Sequence, residues 1–434
     1  MRASHLAALS SSPAWYEWTT GNIPAQHPTM WRFIIFGYFT GSASFGIPSE
    51  TGFSFGWGVF DWDYVTNKYE LTRFTEDSES QTGTAYAWVN DTEVRIVRSY
   101  VYDSSQDTVR HAGKILVATS GAVTLVEPVS THCGNDLVND ADFWPGFTMG
   151  YNGAVIYSYA DGAFSPSPTN NCYIGKITST NSATNLGPLR TGLTAGAQFA
   201  PLCPLGITAA GNGFAVCVKN CSQDYYASQV QTGLINVGAA TPSLTANLTY
   251  TGRPNTFNSL HIGARKVLVT DYHDSTYNGK VTLLYTNSDT APTSLSQGAS
   301  AFAPTMPFRS ADVKYAYPSA GGFCCQNMWV SEGKSAGLVI YNLDKNLAAG
   351  ETQRYYYLPC KYTSSGASDI AVTLLNTDIN GAAVPVDTWW NSEIQSIDSY
   401  AFNFVGGPGN KAALFWRLGN GTHFTVASQT VFQL

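Results

Sequence analysis

GARKVLVTDYHDSTYNGKVTLLYTN, residues 263–287, sets two β-branched, apolar runs on either side of a polar tip. Lys266 to Asp271 is the first run, Lys280 to Thr286 the second, and Asp274 to Gly279 between them is turn chemistry. Asn278 and Gly279 both tolerate the positive φ of a tight primed turn, so the stretch reads as an antiparallel hairpin turning at Asn278-Gly279.

Looser copies of this unit recur along the chain. Glu93 to Tyr102 and Lys114 to Val126 bracket a turn at Asp103 to Asp107, Ala154 to Tyr159 runs into Asp161-Gly162, and Cys172 to Thr178 follows. Phe214 to Val218 comes after Gly211-Asn212-Gly213, with Gly233 to Val237 beyond it. Gly337 to Tyr341 meets a turn at Asp344 to Asn346 and then Gln353 to Leu358, Ile370 to Leu375 meets a turn at Asp378 to Gly381, and Ala412 to Arg417 turns at Gly419-Asn420-Gly421 into Thr422 to Val426. The landmarks Leu116, Ile156, Val216 and Leu268 recur at about 50 residues, the size of a four-stranded propeller blade. The fold expected is all-β, a β-propeller-like array of six or seven irregular blades. Two or more packed β-sandwich domains are the alternative.

Three regions differ in texture. Residues 1–30 are broken by Pro13, Pro24 and Pro28 and carry Trp15, Tyr16 and Trp18 without sustained periodicity; they read as an extended aromatic arm that packs against another subunit. Residues 31–83 are rich in aromatics and glycine and read as a first blade, with Phe53, Phe55, Trp57 and Val59 on one strand face and Ser and Gly opposite. The polar stretch Thr75 to Thr84 is the boundary, and 84–434 is the repetitive β domain.

Composition agrees: 12% of residues are charged and 13% aromatic, with the helix formers scarce and Tyr, Phe, Val and Thr plentiful. The net charge of −7 comes with scattered Lys and Arg, which argues against a nucleic-acid partner. No apolar run is long enough for a membrane span, and the N-terminal apolar stretch is too short for a signal-peptide core. The eight cysteines lack zinc-like spacing and read as small buried thiols, with a bridge or two in an oxidising medium.

Sites are sparse. Asp61 and Asp63 flank Trp62 and share one strand face, as a glycosidase carboxylate pair or cation ligands would; an exposed turn is the plainer reading. Asp271, His273 and Asp274 group acid and base at a hairpin tip. None of the Asp/Asn-rich turns completes a calcium loop, and Asx-turns account for them, so neither a metal nor another cofactor is expected. No nucleophile elbow, zinc-protease motif or phosphate loop is present, and the expectation is binding without catalytic turnover.

In its few charges, its Gly/Ser/Thr/Asn-rich strands and its aromatic N-terminal segment, the chain resembles bacteriophage virion and tail structural proteins. That resemblance implies a structural or adhesive component of a virus or phage particle, folded in the host cytoplasm and serving in host attachment. Its partners would be other virion proteins in a homo-oligomer or ring, with a host-surface glycan as receptor. It transfers no site residues. Two further readings stand beside it: a secreted carbohydrate-binding or glycan-degrading propeller located outside the cell, and an intracellular protein-interaction propeller.

Overall fold

The computed structural model describes residues 14–16, 24–27, 29–40, 54–77, 84–101, 108–118, 123–126, 145–151, 154–160, 172–177, 183–188 and 202–207. It further describes 213–218, 229–236, 243–251, 253–263, 265–272, 279–288, 291–302, 316–318, 333–343, 354–384, 402–420 and 423–434. These residues form seven antiparallel sheets that follow one another along the chain.

The first sheet holds β1 (Ala14–Tyr16), β2 (Ala25–Gln26), β3 (Arg32–Thr40), β4 (Ser54–Asp63) and β5 (Lys68–Glu76), with β1 and β2 both paired to β3. The second is β6 (Thr84–Asn90), β7 (Glu93–Val101), β8 (Thr108–Val117) and β9 (Val123–Val126). The third is β10 (Pro145–Tyr151), β11 (Ala154–Ala160), β12 (Cys172–Ile177) and β13 (Ala183–Pro188). The fourth is β14 (Leu202–Ile207), β15 (Gly213–Val218), β16 (Gln229–Asn236) and β17 (Ser243–Thr251). The fifth is β18 (Arg253–Gly263), β19 (Lys266–Tyr272), β20 (Gly279–Thr286) and β21 (Leu295–Phe302). The sixth is β22 (Ala316–Pro318), β23 (Lys334–Leu343), β24 (Arg354–Thr363) and β25 (Ala371–Leu374). The seventh is β26 (Phe402–Gly407), β27 (Lys411–Asn420) and β28 (His423–Gln433).

Each sheet leans on the next. β2 lies against β6, β6 against β10, β10 against β14 and β14 against β18. The fourth and fifth sheets share a core of Val216, Leu234 and Tyr250 with Val267, Val269 and Leu284. Gly333 N donates to Ile262 O (2.9 Å) between the fifth and sixth sheets, and Ile379 N to Val431 O (2.7 Å) between the sixth and seventh. The seventh sheet then returns to the first: Val405, Phe415 and Val431 pack with Phe33, Phe60, Tyr69 and Leu71 in one core. Tyr69 N donates to Gln429 Oε1 (2.9 Å), and Gln429 Nε2 to Tyr69 O (2.7 Å). Among the described residues the seven sheets form a propeller-like array, at the upper of the two expected blade numbers.

Several local expectations change. Tyr272 pairs with Gly279 and Asp271 with Lys280, so Asn278-Gly279 is not the centre of a two-residue turn; the ladder already includes Gly279, and the connection spans 273–278. Lys114 to Val126 is split into β8 and β9. Ile156, Val216 and Leu268 fall on the second strands of the third, fourth and fifth sheets, whereas Leu116 falls on the third strand of the second, one strand out of phase. In β4 the face expected to carry Ser and Gly is also core: a Cβ on Gly58 would collide with the Phe39 ring, so glycine is what lets the aromatic layer close there. Parts of the 1–30 segment, β1 and β2, pair with β3 of their own chain.

Antiparallel order sends the connections alternately to two ends of the ring. At one end they are short: 64–67, 91–92, 118–122, 152–153, 178–182, 208–212, 237–242, 264–265, 287–294, 364–370 and 408–410, with 319–333 the long exception. At the other end run 41–53, 127–144, 161–171, 189–201, 219–228, 303–315, 344–353 and 385–401, together with the shorter 77–83, 102–107 and 273–278 and the tight links 252 and 421–422. If the first and last blades close the ring through their shared core, Phe415→Ala should destabilise the protein by about 3–5 kcal/mol. Phe302→Ala, at an exposed position, should stay within about 0.5 kcal/mol. Urea denaturation measures both, and equal effects would contradict the closure.

Candidate functional site

The first two sheets meet across Ile34, Phe36, Trp57 and Val59 on one side and Tyr86, Trp88, Val94 and Ile96 on the other. Polar groups collect at the two ends of this seam. At the short-turn end, Arg32 and Asp61 are cross-strand partners at the tips of β3 and β4, and Glu70 of β5 is opposite Asp61 on the other side. Arg32 Nε makes a short ion pair with Asp61 Oδ1, Thr72 Oγ1 donates to Oδ2, and Arg73 Nη1 lies 3.7 Å from Oδ2. Both carboxylate oxygens are thus engaged by the chain's own groups.

Asp63 organises the β4–β5 turn. Its Oδ1 accepts from Val65 N and its Oδ2 from Thr66 Oγ1, both at 2.8 Å. These hydrogen bonds, the Val65 amide first, hold its carboxyl below the usual carboxylate range. Glu70 shifts the other way: burial pushes its carboxyl up, the Asp63 charge adds to this, and Lys68 opposes it. The turn these groups support leaves Tyr64 and Val65 exposed.

At the long-connection end the seam is aromatic. Trp57 packs on Phe36 (ring centroids 4.6 Å apart) and meets Tyr86 edge-on (5.0 Å). Trp57 Nε1 donates to Asp77 Oδ2 at 2.7 Å. Asp77 is 3% exposed and is the buried carboxylate among the described residues, placed where β5 ends and 77–83 leaves for the next blade. A carboxylate oriented by an indole N–H can serve as an acceptor for a hydroxyl or as an acid/base group. Composition hides it, because TEDSESQTGT looks uniformly solvated and only tertiary packing separates Asp77 from its neighbours.

Of the residues singled out from sequence, Asp61 and Asp63 do share one face of β4 with Glu70 alongside. Trp62 is on the opposite face, 6% exposed, edge-on to Tyr69 at 5.1 Å and against Gly407, so its ring belongs to the core between the first and seventh sheets. Asp271 is opposite Pro254 and Lys280, while His273 and Asp274 lie outside the described residues. Trp15 and Tyr16 are opposite Phe39 and Tyr38, and Trp18 lies outside the described residues. Among the described residues no group of three or more His, Cys, Asp or Glu could hold a metal ion. Asp378 forms an Asx-turn, its Oδ1 accepting from Asn380 N and Ala382 N at 2.8 Å each. Cys360 is a buried thiol whose pKa burial pushes up.

No protein-family model and no curated protein matches the chain. Among solved structures it is similar to a protein of unknown function from Dyadobacter fermentans, at 11% identity and TM-score 0.40, covering 82% of this chain and 99% of that one. It is also similar to an exo-β-1,3-galactanase from Phanerochaete chrysosporium, at 10% identity and TM-score 0.36, covering 83% and 90%. A third is a β-fructofuranosidase from Bombyx mori, at 9% identity and TM-score 0.34, covering 100% and 97%. These likenesses transfer no residue. The expectation of a structural or adhesive virion component is corrected: the two similar structures named here with an activity are glycoside-processing enzymes, and likenesses of this grade assign no activity to this chain.

The short-turn cluster predicts its own response to mutation. Arg32 has 8% of its side chain exposed, so Arg32→Ala, which removes the partner of Asp61 Oδ1 and leaves Oδ2 to Thr72 and Arg73, should cost about 1–3 kcal/mol in urea denaturation. Because the Asp63 carboxyl is depressed in the folded state, its contribution is present above the ordinary carboxylate value and is lost as pH falls through the lower, folded value. Asp63→Asn should flatten that acid limb of a stability–pH curve and leave stability above pH ~5 with little further pH dependence from this site.

Proposed function

We propose that this protein is a glycan-active propeller that takes a saccharide at the long-connection end of its ring. The observation that supports this reading is the order of the strands: alternation along the antiparallel sheets puts most of the long connections at one end and most of the short ones at the other. Loops of that length on a rigid sheet scaffold are where binding and catalytic groups reside. By sequence these segments contain Trp144, Trp389 and Trp390, whose faces suit the C–H surfaces of sugar rings, and Asp136, Asp140 and Glu393, which accept from sugar hydroxyls. Asp77 stands oriented at the same end.

Cleavage of a glycosidic bond asks for two carboxyl groups flanking it. Asp77 supplies one candidate, and the second would come from a carboxylate of the long segments. The low density of charge in the blades is compatible with such a site, because the pair needs only two correctly placed groups.

The test is a glycan array with purified protein, followed by reducing-end release on the best-bound glycan. Trp389→Ala combined with Trp390→Ala should weaken binding about tenfold or more while leaving the melting temperature in place, one lost stack being worth about 1 kcal/mol. Asp77→Asn should abolish release and keep binding. Binding without release by the wild type would retain the glycan site and remove the enzyme, and a folded protein that binds no glycan would end the proposal.

A further inference from the structure

Three sheets meet at Ala25–His27. Ala25 and Gln26 pair with Ile34 and Phe33 of β3 in the first sheet. Trp88 Nε1 of the second sheet donates to Ala25 O at 2.8 Å. Gln26 reaches the seventh sheet, where its Oε1 accepts from Gly406 N at 3.1 Å and its Nε2 donates to Gly406 O at 3.4 Å. So short a strand, with two ladder pairs, needs a fastener at its end, and His27 is that fastener.

The His27 side chain is fully buried, with its imidazole edge against Trp88 at 4.6 Å. Nδ1 accepts from Thr29 N (3.1 Å) and Met30 N (3.0 Å), and His27 N donates to Arg32 O (2.8 Å), so one imidazole nitrogen organises the whole 27–32 turn. With Nδ1 an acceptor, the neutral tautomer carries its proton on Nε2, which faces Asp91 Oδ1 at 3.7 Å across the seam. The charged groups around it are Asp91 from the β6–β7 turn, Arg32 from β3 and Asp61 from β4. Asp91 is itself held by Thr29 Oγ1 at 3.1 Å and is largely exposed, so its support for a cation is weak.

We propose that His27 is an acid-operated latch: protonating its imidazole releases the 25–30 segment and loosens the joint between the seventh, first and second sheets. A proton on Nδ1 would aim three N–H donors at one another and leave the Thr29 and Met30 amides without their acceptor, so the charged imidazole must leave its pocket. The direction agrees with burial, which lowers the imidazole's proton affinity in the closed state against the opposing pull of Asp91. The sign follows. Closure is fully present above the open-state value near 6.5 and is lost progressively as pH falls toward the lower, closed-state value.

The experiment is hydrogen exchange of the full-length protein at pH 8 and pH 5, corrected for intrinsic chemistry and read on peptides covering 24–32 and 84–92. Opening of these peptides should rise by up to about tenfold per pH unit below 6.5 in the wild type. In His27→Asn, whose side-chain oxygen can still accept and cannot titrate, the rise should vanish. The same rise in both proteins would overturn the latch. The wild type alone decides the matter if the variant fails to fold. Imidazole NMR should show His27 neutral with the proton on Nε2 while 24–32 is protected, and a charged His27 in a protected segment would equally overturn the proposal.

Discussion

The first blade has two apolar faces, and neither can be left to water. In the first sheet, Ile34, Phe36, Trp57 and Val59 face the second sheet while Phe33, Ile35, Phe60 and Leu71 face the seventh. A sheet of this kind cannot stand as a half-buried layer, and stacking such sheets in a row leaves two exposed faces at the ends of the row. Bringing the last blade against the first removes both. The core joining Phe33, Phe60 and Tyr69 to Val405, Phe415 and Val431 is therefore the contact on which the remaining seams depend, since its loss would expose an aromatic face on each side of the break.

Dry seams also dictate where charge goes. Arg32, Asp61, Glu70 and Asp91 gather at the short-turn end, where part of each network reaches solvent and the remainder is paired within the chain. Buried ions inside a seam would carry a desolvation penalty that few of these geometries could offset. Asp77 keeps its place because Trp57 donates to it from within the aromatic layer. His27 is a second such case, a titratable group made structural by using its acceptor nitrogen for two amides.

The hairpin at 263–287 was legible because β-branched runs and a polar tip are local features, and its two strands appear as β19 and β20 within a residue of the expected bounds. The turn inside it was not, because Gly279 is drawn into the ladder by its partner Tyr272, and register is a property of the pair. Leu116 misled the count for a related reason: equal hydrophobicity on second and third strands cannot distinguish one from the other. Trp62 could be grouped with Asp61 and Asp63 only while the far side of β4 was left out of account. Gly58 and Gly407 look like weak strand residues in sequence, yet each yields its volume to an aromatic ring, Phe39 in one case and Trp62 in the other. Asp77 carried no local signal at all.

The aromatic abundance that suggested a display surface has a different origin. Among the described residues the exposed large apolar side chains are Tyr64, Val65, Leu116 and Phe302, so only two rings stand out in water. Rings of the first and seventh sheets fill a seam, in contacts such as Phe33 stacked on Phe60 at 4.7 Å and edge-on to Phe415 at 5.1 Å. A blade built like the first, with two buried faces, consumes large flat side chains as structural material, so aromatic content there follows from the architecture before any ligand is considered. Aromatic residues available for recognition must then be sought where no ladder claims them. By sequence, that directs attention to the paired tryptophans 389 and 390, between the last strand of the sixth sheet and the first of the seventh.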